Sequence, residues 1–212
     1  MKKIICFDVD GTLVNNKSSW LTITVGLGCP VPKVLAVYEA VMSGKIPFSE
    51  GEAKARDIFL ASGKATRDFI TEIFRKETFR PGVFGLVDHL KSKGYGIWLV
   101  SGAIDIYVSE IAKKIGANGF YAHSSIKFDN EGALAAINYS SNQSPWKAEV
   151  VAKLAQKNGT TPDQIIFVGD DENDLEAFKL TGRGIAVEPF SEILRPVVWK
   201  TVKELSEIKK IL

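Results

Sequence analysis

Residues 4–13 read IICFDVDGTL, and the first four of them are apolar on both faces of an extended chain. That pattern suits an interior strand of a parallel sheet covered by helices on both sides. The run stops at two carboxylates. Strand side chains alternate, so Asp8 and Asp10 point the same way, about 7 Å apart if the chain stays extended. Gly11 permits a sharp exit and Thr12 adds a hydroxyl. An Asp-Gly pair after a strand is also ordinary turn chemistry, so its meaning depends on what other strands bring to the same edge.

Two further apolar runs, Ile97 to Val100 and Ile165 to Val168, also end in polar residues: Ser101-Gly102 in one case and GDDENDLEAF, residues 169–178, in the other. Helical patterns lie between the runs. One opens at Pro81 and closes at Gly94, one runs from Asp105 to Gly116, and one from Ser144-Pro145 to Gly159, with the proline and glycine punctuation expected of helix ends. The alternation predicts an α/β fold with a doubly wound parallel sheet. Gly184 to Val187 and Val197 to Trp199 read as two edge strands, and VKELSEIKKIL as a closing amphipathic helix. Tyr121 to Ser141 reads as a small hairpin turning at Asp129-Asn130-Glu131-Gly132.

Between the first strand and Pro81 the rhythm breaks. KVLAVYEAVMS, SEGEAKARDIFLA and TRDFITEIFRKE are helical, and SSWLTITVGLG is a fourth helical stretch in which β-branched residues compete for a strand. We assign residues 1–14 and 79–212 to the core and 15–78 to an inserted helical lid. With 212 residues, 45% apolar and 25% charged, the chain can bury a full core, and its net charge of +2 carries no basic block that would call for nucleic acid. No apolar run approaches the roughly 20 residues of a membrane span, and the two lysines at the start precede only four apolar residues, unlike a signal peptide. Cys6 and Cys29 read as reduced thiols, which points to the cytoplasm.

Asp8, Asp10, Asp170 and Asp174 gather at one sheet edge, where open α/β sheets bind ligands. If a helix has begun by Asp170, Asp170 and Asp174 lie near one of its faces. So many carboxylates repel one another without a cation, and oxygen-only ligands select a hard ion, most economically Mg²⁺. His89 and His123 lack partners at zinc-ligand spacing. Lys147, in the first turn of its helix, works against the helix dipole, but a cation facing the acids can hold both a carboxylate and a phosphate.

FDVDGTL, LVSG, Lys147 and GDDENDLEAF, in this order over nearly the whole chain, resemble the haloacid dehalogenase superfamily, in its magnesium-dependent phosphatase branch. TLVNN, GKIPF, GYGIWLVSGAIDIYVSEIAKKIGA and VGDDENDLEAFKLTGRGIAV are most similar to phosphoserine phosphatases and their relatives. The resemblance implies a Rossmann-like core with a type-one cap, and hydrolysis of a small phosphorylated metabolite through an aspartyl-phosphate. Asp8 would be the nucleophile and Asp10 the general acid and base. Mg²⁺ would be held by Asp8, the Asp10 carbonyl and Asp170, with Asp174 assisting and Asp171 a rival for that role. Thr12, Ser101, Gly102, Lys147 and Asn173 would serve the phosphoryl group. A phosphoacceptor signalling module, or transfer to a second substrate as in mutases of the same superfamily, are the alternatives.

Two positions bear on substrate choice. Phosphoserine phosphatases carry a glutamate for the substrate's ammonium where this chain has Lys17, and like charges there would cost about 4 kcal/mol at 4 Å for an effective dielectric near 20. The expectation is therefore a substrate other than phosphoserine. The family's cap arginine, which grips the substrate carboxylate, maps near Arg56 when a one-residue gap is allowed. Trp20 either lines the pocket or packs in the cap core with Leu21, Thr24 and Leu27.

Overall fold

The predicted runs become the middle of one sheet. In the computed structural model, which describes residues 3–139 and 141–212, the strands are β1 (Lys3–Phe7), β2 (Tyr95–Ile104), β3 (Gly119–Phe128), β4 (Leu134–Asn138), β5 (Ile165–Gly169), β6 (Gly184–Val187) and β7 (Val198–Val202). Their spatial order is 4-3-2-1-5-6-7, parallel except for the β3–β4 hairpin. Met1, Lys2 at the head of the chain and Ser140 in the expected hairpin span lie outside the described residues.

Alternation along β1 divides the core. Ile5 and Phe7 join the packing of α5 (Val83–Ser92) and α6 (Asp105–Ile115), while Ile4 and Cys6 join that of α7 (Gln143–Lys157) and α8 (Leu175–Thr181). β1 pairs with β2 on one side and with β5 on the other, Phe7 lying level with both Leu99 and Val168. The carboxyl ends of three adjacent strands thus meet at the point where the sheet order reverses, which is where such sheets build ligand sites.

After β1, Val14 forms an isolated antiparallel bridge with Phe79, and the Arg80 amide donates to the Leu13 carbonyl at 2.9 Å. Between them lie four helices, α1 (Ser19–Gly26), α2 (Val31–Met42), α3 (Phe48–Leu60) and α4 (Arg67–Arg75), as expected for an inserted helical cap. The ambiguous stretch resolves as helix α1: Ser18 caps it by accepting from the Leu21 amide, and Thr24 returns its hydroxyl to the Trp20 carbonyl at 2.6 Å.

Three expectations need correction. The C-terminal VKELSEIKKIL contributes only its first residue, Val202, to the end of β7 and then forms only a 3₁₀ helix, Leu205–Lys210, because Leu205 and Ile208 are buried at a spacing of three. Of the two strands expected at an edge, β6 is interior, between β5 and β7, and β7 is an edge. The hairpin is not confined to the core, because its turn also binds the cap. The Arg67 amide donates to Gly132 at 2.8 Å, the Leu134 amide donates to Ala65 at 2.9 Å, and Thr66 bridges to Ala133.

Candidate active site

Asp8 leaves β1 with its amide donating to the Val168 carbonyl at 2.9 Å, which keeps it in the sheet and buries its carboxylate at the carboxyl edge. Lys147 reaches it from the first turns of α7. The lysine side chain is fully buried, with Nζ 3.1 Å from Asp8 Oδ1 and 2.6 Å from Asp174 Oδ1. Burial alone would discharge this lysine, but the two carboxylates outweigh it and hold its pKa above the ordinary lysine range.

Asp174 is a brace. Its Oδ1 holds Lys147 while its Oδ2 accepts from the Asp170 and Asp171 amides at 2.9 and 3.2 Å. The idea that Asp170 and Asp174 share a helix face is corrected by this loop: the first turn is a 3₁₀ turn at Glu172–Asp174, and Asp170 still lies in the extended strand exit. The two meet because Asp174 folds back over Gly169, where a Cβ would lie 2.2 Å from Asp174 Oδ2. Only glycine admits that approach.

Asp170 accepts the Thr12 hydroxyl at 2.6 Å and the Lys17 ammonium. Thr12 therefore orients a carboxylate and does not stand free for a phosphoryl oxygen. Burial and the neighbouring Asp8 push the Asp170 carboxyl up, partly offset by Lys17 and Thr12. Carboxylate oxygens of Asp8, Asp170 and Asp174 lie within 4.8 Å of one another. Asp8 Oδ1 is buried with only the Lys147 ammonium beside it, and the donors are all oxygen, so this group suits a hard divalent cation. Neither histidine belongs to it.

Asp10 sits beside this cluster, with Oδ2 accepting from the Ser19 amide at 3.0 Å and Oδ1 buried without a partner. Burial first, and the Asp8 charge second, push its pKa up to about 7. A carboxyl at that value can give and take a proton near neutrality. Behind it lies a polar layer that sequence reasoning missed: Tyr107 donates to Glu77 at 3.2 Å.

Ser101 and Gly102 lie inside the buried half of β2, which runs past the expected stop to Ile104 with a register shift against β3 after Ser101, and they line the same cavity as Asp8 and Asp10. A Cβ on Gly102 would lie 1.9 Å from Gln143 Oε1. Gln143 also lines the cavity and accepts from Asn173 Nδ2 at 3.0 Å, while Asn173 Oδ1 accepts from Lys147 at 2.8 Å. Gln143 was not foreseen; the only local sign is its place at the start of the helix that carries Lys147. Arg80 was missed too, and it clamps the acid loop by donating to the Gly11 and Glu188 carbonyls, both at 2.7 Å.

The cavity measures about 370 Å³ and extends from these carboxylates into the cap. Trp20 lines it while packing against the core, so both roles expected of it are met. Asp171 lines it as well. Arg56 does not: it is turned to the surface and paired with Asp57 at 2.9 Å, which corrects its assignment as a substrate ligand. Among the described residues no helix is long and apolar enough to cross a membrane.

The chain is similar in sequence and fold to known proteins. The chain is 31% identical over 180 residues to a phosphoserine phosphatase of Drosophila melanogaster, spanning 82% of this chain and 64%, less than two thirds, of that relative's length. It is 31% identical over 223 residues to a phosphoserine phosphatase of Streptococcus thermophilus, covering 99% of both chains. A solved structure described as a phospho-aspartyl intermediate analogue of phosphoserine phosphatase superposes with a TM-score of 0.77 at 27% identity, covering 100% of this chain and 99% of that one. The family model for haloacid dehalogenase-like hydrolases matches residues 2–182, so the four motifs, the sheet order and the acid-rich edge have one explanation: this chain belongs to the haloacid dehalogenase-like hydrolases.

Proposed function

We propose that this chain is a Mg²⁺-dependent phosphatase that hydrolyses a small phosphomonoester through an aspartyl-phosphate on Asp8. The observation that carries the reading is the buried Asp8 carboxylate, its Oδ1 3.1 Å from the Lys147 ammonium, next to a carboxyl whose pKa is about 7. Asp8 attacks phosphorus in line. Asp10 gives its proton to the leaving oxygen, then takes one from the water that hydrolyses the intermediate. Ser101, the Gly102 amide and Lys147 hold the phosphoryl oxygens, and Asn173 keeps Lys147 aimed. Asp8, the Asp10 carbonyl and Asp170 would hold Mg²⁺, which neutralises charge on the transferring group when bound. Residues 15–78 act as the cap that excludes bulk water. The free, buried Cys6 and Cys29 support a reducing, cytoplasmic setting.

Turnover of p-nitrophenyl phosphate with Mg²⁺, lost in Asp8→Asn, is the expected result. No turnover, or turnover that survives the substitution, would overturn the proposal. Phosphoserine itself is a second reading, supported by the name shared by the relatives; the groups around the cavity speak to it below.

A further inference from the structure

The cap side of the cavity is lined mainly by apolar and aromatic side chains. We propose, resting on the phosphatase reading above, that the substrate is the phosphomonoester of an apolar alcohol whose hydrocarbon body lies along α2.

α2 has the sequence VPKVLAVYEAVM, yet none of its residues is buried. Val34, Val37, Tyr38 and Val41 form a stripe at helical spacing, the kind of face that normally packs on protein. Here that stripe lines the active-site cavity. On the other walls the rings of Trp20, Phe48 and Tyr139 line it too, Tyr139 stacking on Phe48 at 5.9 Å and meeting Trp20 edge-on at 6.2 Å. At about 370 Å³ the space falls in the range of roughly 300–1,000 Å³ that takes small organic ligands.

The cap sends two charged side chains to the cavity, one of each sign. Lys17 is on Asp170, and Glu52 accepts from the Tyr139 amide at 2.7 Å. No arginine is among the described residues that line it. With phosphate fixed at Asp8 and Lys147, a zwitterionic body would set its carboxylate against valines and aromatic rings, with Lys17 already on Asp170, and burying such a charge unpaired is unfavourable. An apolar body gains by the same contact.

The test is kcat/KM for ethyl, butyl and hexyl phosphate and for O-phosphoserine at saturating Mg²⁺, with p-nitrophenyl phosphate as the check on chemistry. The expected result is a rise of about two- to fourfold per added methylene, with O-phosphoserine below butyl phosphate. Val37→Glu, which puts a charge on the stripe, should bring the hexyl-to-ethyl ratio close to one. A flat series, a preference for O-phosphoserine or an unchanged ratio in Val37→Glu would overturn the proposal while p-nitrophenyl phosphate is still hydrolysed. Loss of turnover on every substrate would overturn the phosphatase reading, and this proposal with it.

Discussion

Lys147 Nζ lies 2.6 Å from Asp174 Oδ1 and 3.1 Å from Asp8 Oδ1, and all three side chains are buried. One cation thus serves two anions that would otherwise repel inside a dry site. Removing one partner of such a group leaves the others uncompensated, which costs about 3–5 kcal/mol. Lys147→Met should lower stability by that amount in urea denaturation and reduce kcat at least a hundredfold. Adding Asp174→Asn should return part of the stability and none of the activity. Full recovery of activity in the double variant would show that the lysine serves only the fold.

Asp10 gives the opposite sign. Its folded pKa of about 7 lies above its ordinary value of 3.8, so the folded state binds the proton more tightly than the unfolded chain does. That contribution to stability is complete below about pH 4 and is lost as pH rises through 7. Asp10→Asn removes the charge, so in EDTA it should be more stable than the parent at pH 8, by at most about 4 kcal/mol, and no more stable at pH 4. Urea midpoints at the two pH values measure this. A variant that is less stable at pH 8 would mean that the ionised carboxyl is well accommodated.

The strands and the acids at their ends were legible because a buried parallel strand is an unbroken apolar run, and such a run must stop where the sheet meets solvent or ligand. Asp8, Asp10 and Asp170 follow such stops and Lys147 a helix start, whereas Ser101 and Gly102 lie inside β2, which runs on to Ile104. Gln143, Glu52 and Arg80 were not legible, since each acts through a contact far along the chain that no local pattern records. Arg56 was misplaced through helix phase: Glu52, Ala55 and Phe59 line the cavity, and Arg56 is one residue past Ala55, turned about 100° round the helix. The hairpin's bond to the cap was hidden because backbone pairing between two turns leaves no mark in side-chain periodicity.

That backbone bond can be tested by itself. Arg67 is the first residue of α4, and Thr66 before it is already extended, with φ −108° and ψ 157°, so proline fits position 67 without breaking the helix. Arg67→Pro deletes the amide that donates to Gly132. One such bond is worth about 1 kcal/mol, so the Leu134 amide should exchange with deuterium about fivefold faster than in Arg67→Ala, which keeps the amide and loses only the guanidinium. Equal exchange in the two variants would show that the Arg67–Gly132 bond adds nothing to the hold that the Leu134–Ala65 bond already provides.

Lys17 occupies a carboxylate that the proposed function assigns to the metal. Its ammonium sits on Asp170, whose side chain is wholly buried, while the lysine side chain is 56% exposed. The contact is therefore half solvated and worth on the order of 1 kcal/mol, but it must be given up, or its charge tolerated, when Mg²⁺ approaches the same oxygens. Lys17→Met removes the competitor and keeps a comparable hydrocarbon stem. Mg²⁺ titration by calorimetry should then give a Kd about fivefold lower than the parent's, with the difference shrinking at high ionic strength as the competing charge is screened. A weaker Kd in Lys17→Met would reverse the argument: the lysine would then be steadying the Asp170 loop for the ion instead of contesting it.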